Sequence, residues 1–202
     1  GAHLENNVFF GGTLDGITEK LDYIASLGTS MIYLSPIFEA YSNHKYDTGD
    51  YLKVDEMFGG DEALRRLIAE AKARGIGILL DGVFNHTGAD SVYFNKKGRY
   101  PTLGAWQSKD SPYYDWYDFQ HFPDRYTAWW GIPILPRIHP DRPSCRRFFT
   151  GDGGVIPHYA ALGVAGFRLD VADELSDDFF ADIKKTLTKQ NPAATLYGEV
   201  WE

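Results

Sequence analysis

Four short runs of nearly unbroken apolar residues constrain this chain more than any other feature: MIYLSPIF at 31–38, IGILLDGVF at 76–84, VAGFRLDV at 164–171 and TLYGEVW at 195–201. A strand wetted on one face alternates polar and apolar side chains, whereas a strand of a parallel sheet is covered on both faces and loses that alternation. Helical patterns separate the runs. The first, behind a predicted cap at Asp15, places Ile17, Leu21 and Ile24 on one face and stops at Gly28. A second runs from about Asp61 to Gly75 with Leu64, Leu67, Ile68 and Ala71 as its stripe, and a third opens at Ser176, shows Phe179, Phe180, Ile183 and Leu187, and ends before Pro192. Such alternation predicts an α/β fold assembled from repeated βα units around a parallel sheet. Between 144 and 162, GDGG and Pro157 interrupt the helical period, and no boundary is assigned there.

The interval between the second and third runs is too long for one crossover, so an extra piece is expected at 87–145, dividing the chain into 1–86, 87–145 and 146–202. This piece holds Trp106, Trp116, Trp129 and Trp130 together with Tyr93, Tyr100, Tyr113, Tyr114, Tyr117 and Tyr126. Such rings either form the core of a small subdomain or line a cleft and stack on a ligand.

Composition narrows the classes of partner. The chain has 202 residues, a formal charge of −8 and no basic run, which argues against nucleic acid and favours a neutral partner. It is too polar for a membrane span. Cys145 stands alone, so neither an intrachain disulfide nor a cysteine-built zinc site is available. The first residues, GAHLENNVFF, do not read as a signal peptide, and a cytoplasmic location is favoured over secretion without being established.

In a parallel α/β barrel, the loops after the C-terminal ends of strands build the active site. The polar residues of this chain gather there: Asp81, Asn85 and His86 after the second run, Arg168 and Asp170 in the third, Glu199 in the fourth, and His44, Tyr46 and Asp47 after the first. Strand periodicity puts Arg168 and Asp170 on one face with Gly166 and Ala172, and Phe167, Leu169 and Val171 on the other. A guanidinium beside a desolvated carboxylate favours its charged form, so Arg168 is expected to hold Asp170 as an anion. Paired with a second carboxyl group that keeps its proton, such an anion is the equipment of glycoside hydrolysis. Glu199 is the natural second group, with Trp201 as an apolar neighbour that would help it retain the proton. Each piece also has a plainer explanation. Arg168 and Asp170 could be an inert buried pair, Asp81 could orient Arg168 or cap a turn, and Asn85 could stabilise its loop. His86 could be a satisfied histidine under the insert, His44 local structure, and Tyr46 packing at the rim. Their coincidence at four strand ends favours chemistry.

At these residues the sequence resembles the α-amylase family of glycoside hydrolases, in particular its neopullulanase, cyclomaltodextrinase and amylopullulanase-like branch. LDGVFNH resembles the family's first signature, GFRLDVADE the second and GEVWE the third, while SNHKYDTGDY resembles the stretch after the second barrel strand. The resemblance implies a partial (β/α)8 TIM barrel, strands two to five of eight, with an inserted subdomain after barrel strand three. It implies retaining hydrolysis or transglycosylation of α-glucosidic bonds in starch-derived glucans, maltooligosaccharides, pullulan or cyclodextrins. Asp170 would be the nucleophile, Glu199 the general acid/base and Arg168 the nucleophile's partner. Tyr46 and His86 would hold the sugar, Trp201 would face its neighbour on the leaving side, and Asp81 would brace the site. The resemblance implies no required cofactor. Thr13 stands where calcium-binding relatives tend to carry aspartate, and LPRIH at 135–139 departs from another short signature, so a calcium ion (Ca2+) stays open as a ligand but is not supported by these residues. A first strand and the last three have no counterpart here, so the chain is expected to be an interior fragment that is inactive alone and self-associates or needs the rest of the barrel. The alternative is a non-catalytic sugar-binding or scaffolding relative.

Overall fold

The computed structural model describes residues 8, 9 and 11–200. In chain order they form α1 (Leu14–Ser26), β1 (Met31–Tyr33), β2 (Phe38–Ala40), β3 (Thr48–Val54), α2 (Gly60–Ala73) and β4 (Gly77–Gly82). There follow β5 (Phe119–His121), β6 (Arg125–Tyr126), α3 (Pro143–Thr150), α4 (Val155–Leu162), β7 (Gly166–Leu169), α5 (Asp177–Gln190) and β8 (Thr195–Gly198). The main sheet is parallel, in the order β1-β4-β7-β8. No helix among the described residues is long and apolar enough to cross a membrane.

Local chemistry sets the helix ends. Thr13, not Asp15, caps α1, its hydroxyl accepting from the Gly16 N–H at 3.0 Å. Ser176 caps α5 as expected, accepting from Phe179 N–H at 3.1 Å. Residues 144–162 resolve into α3 and α4, separated by Gly151–Gly154, and Pro157 is tolerated because it falls in the first turn of α4, where its missing N–H has no intrahelical acceptor.

The first apolar run is not one strand. Pro36 offers no N–H to a ladder, and the chain leaves the sheet after Leu34, whose N–H donates to Leu79 O at 2.9 Å. Phe38–Ala40 pairs instead with β3 in an antiparallel hairpin that the apolar pattern did not reveal. Its centre is Tyr51, fully buried, whose hydroxyl donates to Val83 O at 2.6 Å and lies 2.9 Å from His86 O. Around Tyr51 pack Phe38, Phe84, Tyr93, Phe148 and Phe149, with ring centroids 5.1–6.3 Å away. Tyr93 stacks on Trp116 at 5.1 Å. The buried rings of 87–145 therefore belong to the same core as the strands.

Parallel pairing carries one row of side chains across each face. Leu80 lies beside Phe167, which lies beside Leu196, on the helix-covered face. Asp81, Arg168 and Tyr197 form a row on the other face. Tyr33 and Tyr197, at the two edges, are 45% and 54% exposed, so this second face is open at both sides.

At Gly166, where β7 begins, φ is +155 and a Cβ would stand 1.8 Å from Thr195 O, which no rotamer can relieve. Gly166→Ala should therefore destabilise the fold by roughly 2–4 kcal/mol. Urea denaturation checks this; an unchanged midpoint would show that β7 and β8 do not approach so closely.

Candidate active site

The row on the open face leads to one cluster. The Arg168 guanidinium meets three carboxyl groups from three strand ends: Asp81 Oδ2 at 2.9 Å and Asp170 Oδ1 at 3.0 Å through one nitrogen, and Glu199 Oε2 at 2.7 Å through the other. Asp81 has no exposed side-chain surface. Besides Arg168 it takes the Tyr46 hydroxyl at 3.2 Å and a short hydrogen bond from the Tyr33 hydroxyl. Tyr33 escaped the sequence reading. The available signal was its place, a polar-tipped ring at the end of the first apolar run.

Asp170 and Glu199 are gathered by the same guanidinium, Asp170 Oδ1 at 3.0 Å and Glu199 Oε2 at 2.7 Å. Two backbone contacts hold them in place: Asp170 N–H donates to Gly82 O at 3.0 Å, and Glu199 N–H to Leu169 O at 2.9 Å. Between them the chain turns at Val171, which has φ +51 and ψ +47. A β-branched residue resists this left-handed conformation, and here it is buried while its N–H lies 3.3 Å from Glu199 Oε2. The turn ends the period-two alternation, so Ala172 belongs to a short 3₁₀ turn and not to the face shared by Arg168 and Asp170.

Arg168 does not dominate the ionisation of Asp170. One guanidinium faces three acids, and burial, followed by repulsion from Asp81 and the hydrogen bond with Glu199, raises the Asp170 carboxyl to about 7 against the downward pull of Arg168. Desolvation thus outweighs the pull of Arg168 toward the anion. Burial also raises Asp81, opposed by the hydrogen bonds from Tyr33, Arg168 and Tyr46.

His86 is 1% exposed. Its Nε2 lies 3.0 Å from Tyr46 O, and its ring stacks on Trp129 at 5.6 Å. Burial lowers it to about 4, so it is neutral at physiological pH and Nε2–H donates to the Tyr46 carbonyl. In this arrangement His86 braces Tyr46 from behind, with Nδ1 lying 3.3 Å from Asn85 Oδ1. Tyr46 also packs on His44 at 6.0 Å. Asn85 donates to Glu174 Oε2 at 3.0 Å, and its carbonyl accepts from Ile138 N–H at 3.0 Å, tying the LPRIH segment to the end of β4. Trp201 lies outside the described residues. Among the described residues, no group of three or more His, Cys, Asp or Glu side chains is arranged so that it could hold a metal ion.

Two carboxyl groups beside one fixed cation, on the open face of a sheet, can attack an electrophilic carbon with one group and protonate a leaving oxygen with the other. Residues 3–199 match the family model for "Alpha amylase, catalytic domain". The chain is 45% identical to an amylopullulanase of Thermoanaerobacterium saccharolyticum, covering 97% of this chain and 17% of that protein. It is 34% identical to neopullulanase 2 of Thermoactinomyces vulgaris, covering 99% of this chain and 34% of the relative. Among solved structures, the ligand-free cyclic alpha-maltosyl-(1→6)-maltose hydrolase of Arthrobacter globiformis superposes with a TM-score of 0.87 at 32% identity, over 100% of this chain and 45% of that one. The chain thus spans less than half the length of each of these proteins.

The raised Asp170 gives a pH dependence of definite sign. Between its ordinary 3.8 and about 7 the folded state holds a proton that the unfolded chain has released, so stability declines as pH rises through that window and levels off above it. Asp170→Asn removes this cost. The variant should be more stable than the parent by about 1–2 kcal/mol at pH 8, with the difference vanishing near pH 4. Denaturation across pH checks it; a constant offset would show that Asp170 is not the group retaining the proton.

Proposed function

Because this chain belongs to the alpha-amylase catalytic-domain family, we propose that it supplies the catalytic carboxylates of a retaining hydrolase or transglycosylase of α-linked glucans. The proposed setting is strands two to five of a (β/α)8 barrel, with 1–86 and 146–202 as barrel and 87–145 as the insert after barrel strand three. The observation that carries this reading is the meeting of Asp170 and Glu199, from adjacent strand ends, on one guanidinium. The relatives' names supply the substrate class: amylopullulanase and neopullulanase suggest pullulan and related starch-derived glucans, including maltooligosaccharides and cyclodextrins.

The roles follow from charge and position. Asp170 as carboxylate attacks the anomeric carbon while the proton held by Glu199 passes to the departing glycosidic oxygen. A glycosyl ester on Asp170 results. Water, deprotonated by Glu199, then attacks that ester, which restores both groups; a sugar hydroxyl in place of water gives transfer. Retaining chemistry works at a carboxyl separation of about 5–5.5 Å. In the proposed reaction Arg168 stabilises the Asp170 anion, and Glu199, on the other guanidinium nitrogen, takes the acid/base role. Tyr46 offers a ring for the sugar to stack on, Asp81 fixes Arg168 and Tyr46, and His86 is assigned to supporting Tyr46. Trp201 is assigned to the neighbouring sugar on the leaving side.

In the full-length protein, Asp170→Asn should lower turnover of maltooligosaccharides by at least about a thousandfold, and a mechanism-based fluoroglycoside should leave a mass adduct on Asp170 in the parent. Near-normal turnover by the variant would remove Asp170 as nucleophile, and failure to form any adduct would favour a sugar-binding relative without catalysis. The isolated 202-residue chain should show no turnover on the same substrates; detectable activity would show that these residues suffice for catalysis.

A further inference from the structure

The loop that carries Tyr46 holds a lysine in an unusual place. Lys45 has φ +64, and its side chain is 1% exposed. The ammonium Nζ lies 2.8 Å from Asp55 Oδ2, itself nearly buried, and donates to Ala40 O at 2.9 Å. Met57 Sδ, a weak acceptor, lies 3.7 Å from the same nitrogen, and the Phe58 ring centroid 5.9 Å. We propose that Lys45 is a positioning residue: its buried ion pair with Asp55 fixes the 41–47 loop so that Tyr46 stands at the carboxylate cluster in the orientation that turnover requires. This rests on the reading of the chain as a retaining glucan-acting enzyme.

Stability alone does not account for such a lysine. A residue other than glycine is strained in the left-handed region, and withdrawing an ammonium and a carboxylate from water costs free energy that their attraction need not return. A glycine would make the same turn without either cost. What the pair adds is a single seat. A buried ammonium needs acceptors, and here they stand together, Ala40 at the end of β2 and Asp55 just after β3. Asp55 is itself fixed, since it accepts from Ala40 N–H at 3.2 Å and from Met57 N–H at 2.9 Å. A loop tied to that point has few alternative conformations, because a shift leaves charges unpaired in a dry place.

The tether lies one residue from Tyr46. A second anchor is a short hydrogen bond from the Ser42 hydroxyl to Asp47, and Ser42 Oγ also accepts from Lys45 N–H at 3.0 Å. While Lys45 reaches back to the hairpin, Tyr46 reaches toward the sheet, its hydroxyl donating to Asp81 Oδ2 at 3.2 Å and its carbonyl accepting from His86. Asp81 in turn holds Arg168, the cation shared by Asp170 and Glu199. Among the described residues, none of these acids is a partner of the Lys45 ammonium, so its effect passes through Tyr46. Displacing a substrate-facing group by about 1 Å costs turnover more than it costs ground-state binding.

The test is steady-state kinetics of the full-length protein on maltotriose, comparing the parent with Lys45→Met and with Lys45→Met/Asp55→Asn. The double variant leaves no unpaired carboxylate buried, should the single one fold poorly. In both, kcat per folded molecule should fall about tenfold, with KM changed by less than about threefold. In a Tyr46→Ala background the same changes should lower kcat by less than about twofold, since the ring through which Lys45 acts is gone. A lysine serving stability alone would lower the melting temperature and leave kcat per folded molecule unchanged, or lower it equally in both backgrounds; either result overturns the proposal. So would full turnover by Lys45→Gly, which would show that the left-handed turn suffices without the ion pair. An active parent beside an inactive Asp170→Asn keeps the catalytic reading whatever the Lys45 variants do, whereas equal turnover by those two defeats that reading and the role of Lys45 with it.

Discussion

One guanidinium organises this structure's open face. Arg168 stands on β7 between strands that deliver Asp81 on one side and Glu199 on the other, with Asp170 two residues further on. Three acids around one cation leave a surplus of negative charge in a partly desolvated place, and such a cluster lowers its energy by keeping a proton. A geometry that would be a poor way to stabilise a fold gathers three carboxyl groups on one cation.

The cluster is held from behind by packing. Tyr51 sits at the centre of a ring assembly that joins the β2–β3 hairpin, the segment after β4 through Phe84, and the helix carrying Phe148 and Phe149. Its hydroxyl meets the carbonyls of Val83 and His86, in the loop where polar residues leave the sheet. Tyr46 is in turn held by His86 and by Asp81. The strained turn at Val171 is part of the same arrangement: neighbouring strands over-determine it, and its N–H lies 3.3 Å from Glu199 Oε2. Rigid aromatic packing thus supports a polar surface whose own electrostatics are unfavourable.

Much of this was legible in the chain itself. Continuous apolar runs and 3.6-residue stripes identified the parallel sheet and three of its helices, because burial on both strand faces and on one helix face leaves a periodic trace. The carboxylates were legible because charged residues inside apolar runs are rare without a purpose. Less visible were the β2–β3 hairpin, whose strands carry Glu39, Asp50 and Lys53 and show no clean alternation, and the helices α3 and α4, whose eight residues each are too short for a stripe to stand out. Tyr33 was lost among apolar neighbours, since a tyrosine in a strand is ordinarily core.

What the sequence determined by itself is the layered βα architecture and the identity of the acids at the strand ends, since both depend on local periodicity and residue chemistry. Only the tertiary structure decided how those acids share charge. Whether Arg168 serves one carboxylate or three, whether Asp170 keeps its proton, and whether His86 faces a ligand or braces Tyr46 all depend on distance and desolvation. Those quantities arise when strands far apart in the chain are brought side by side.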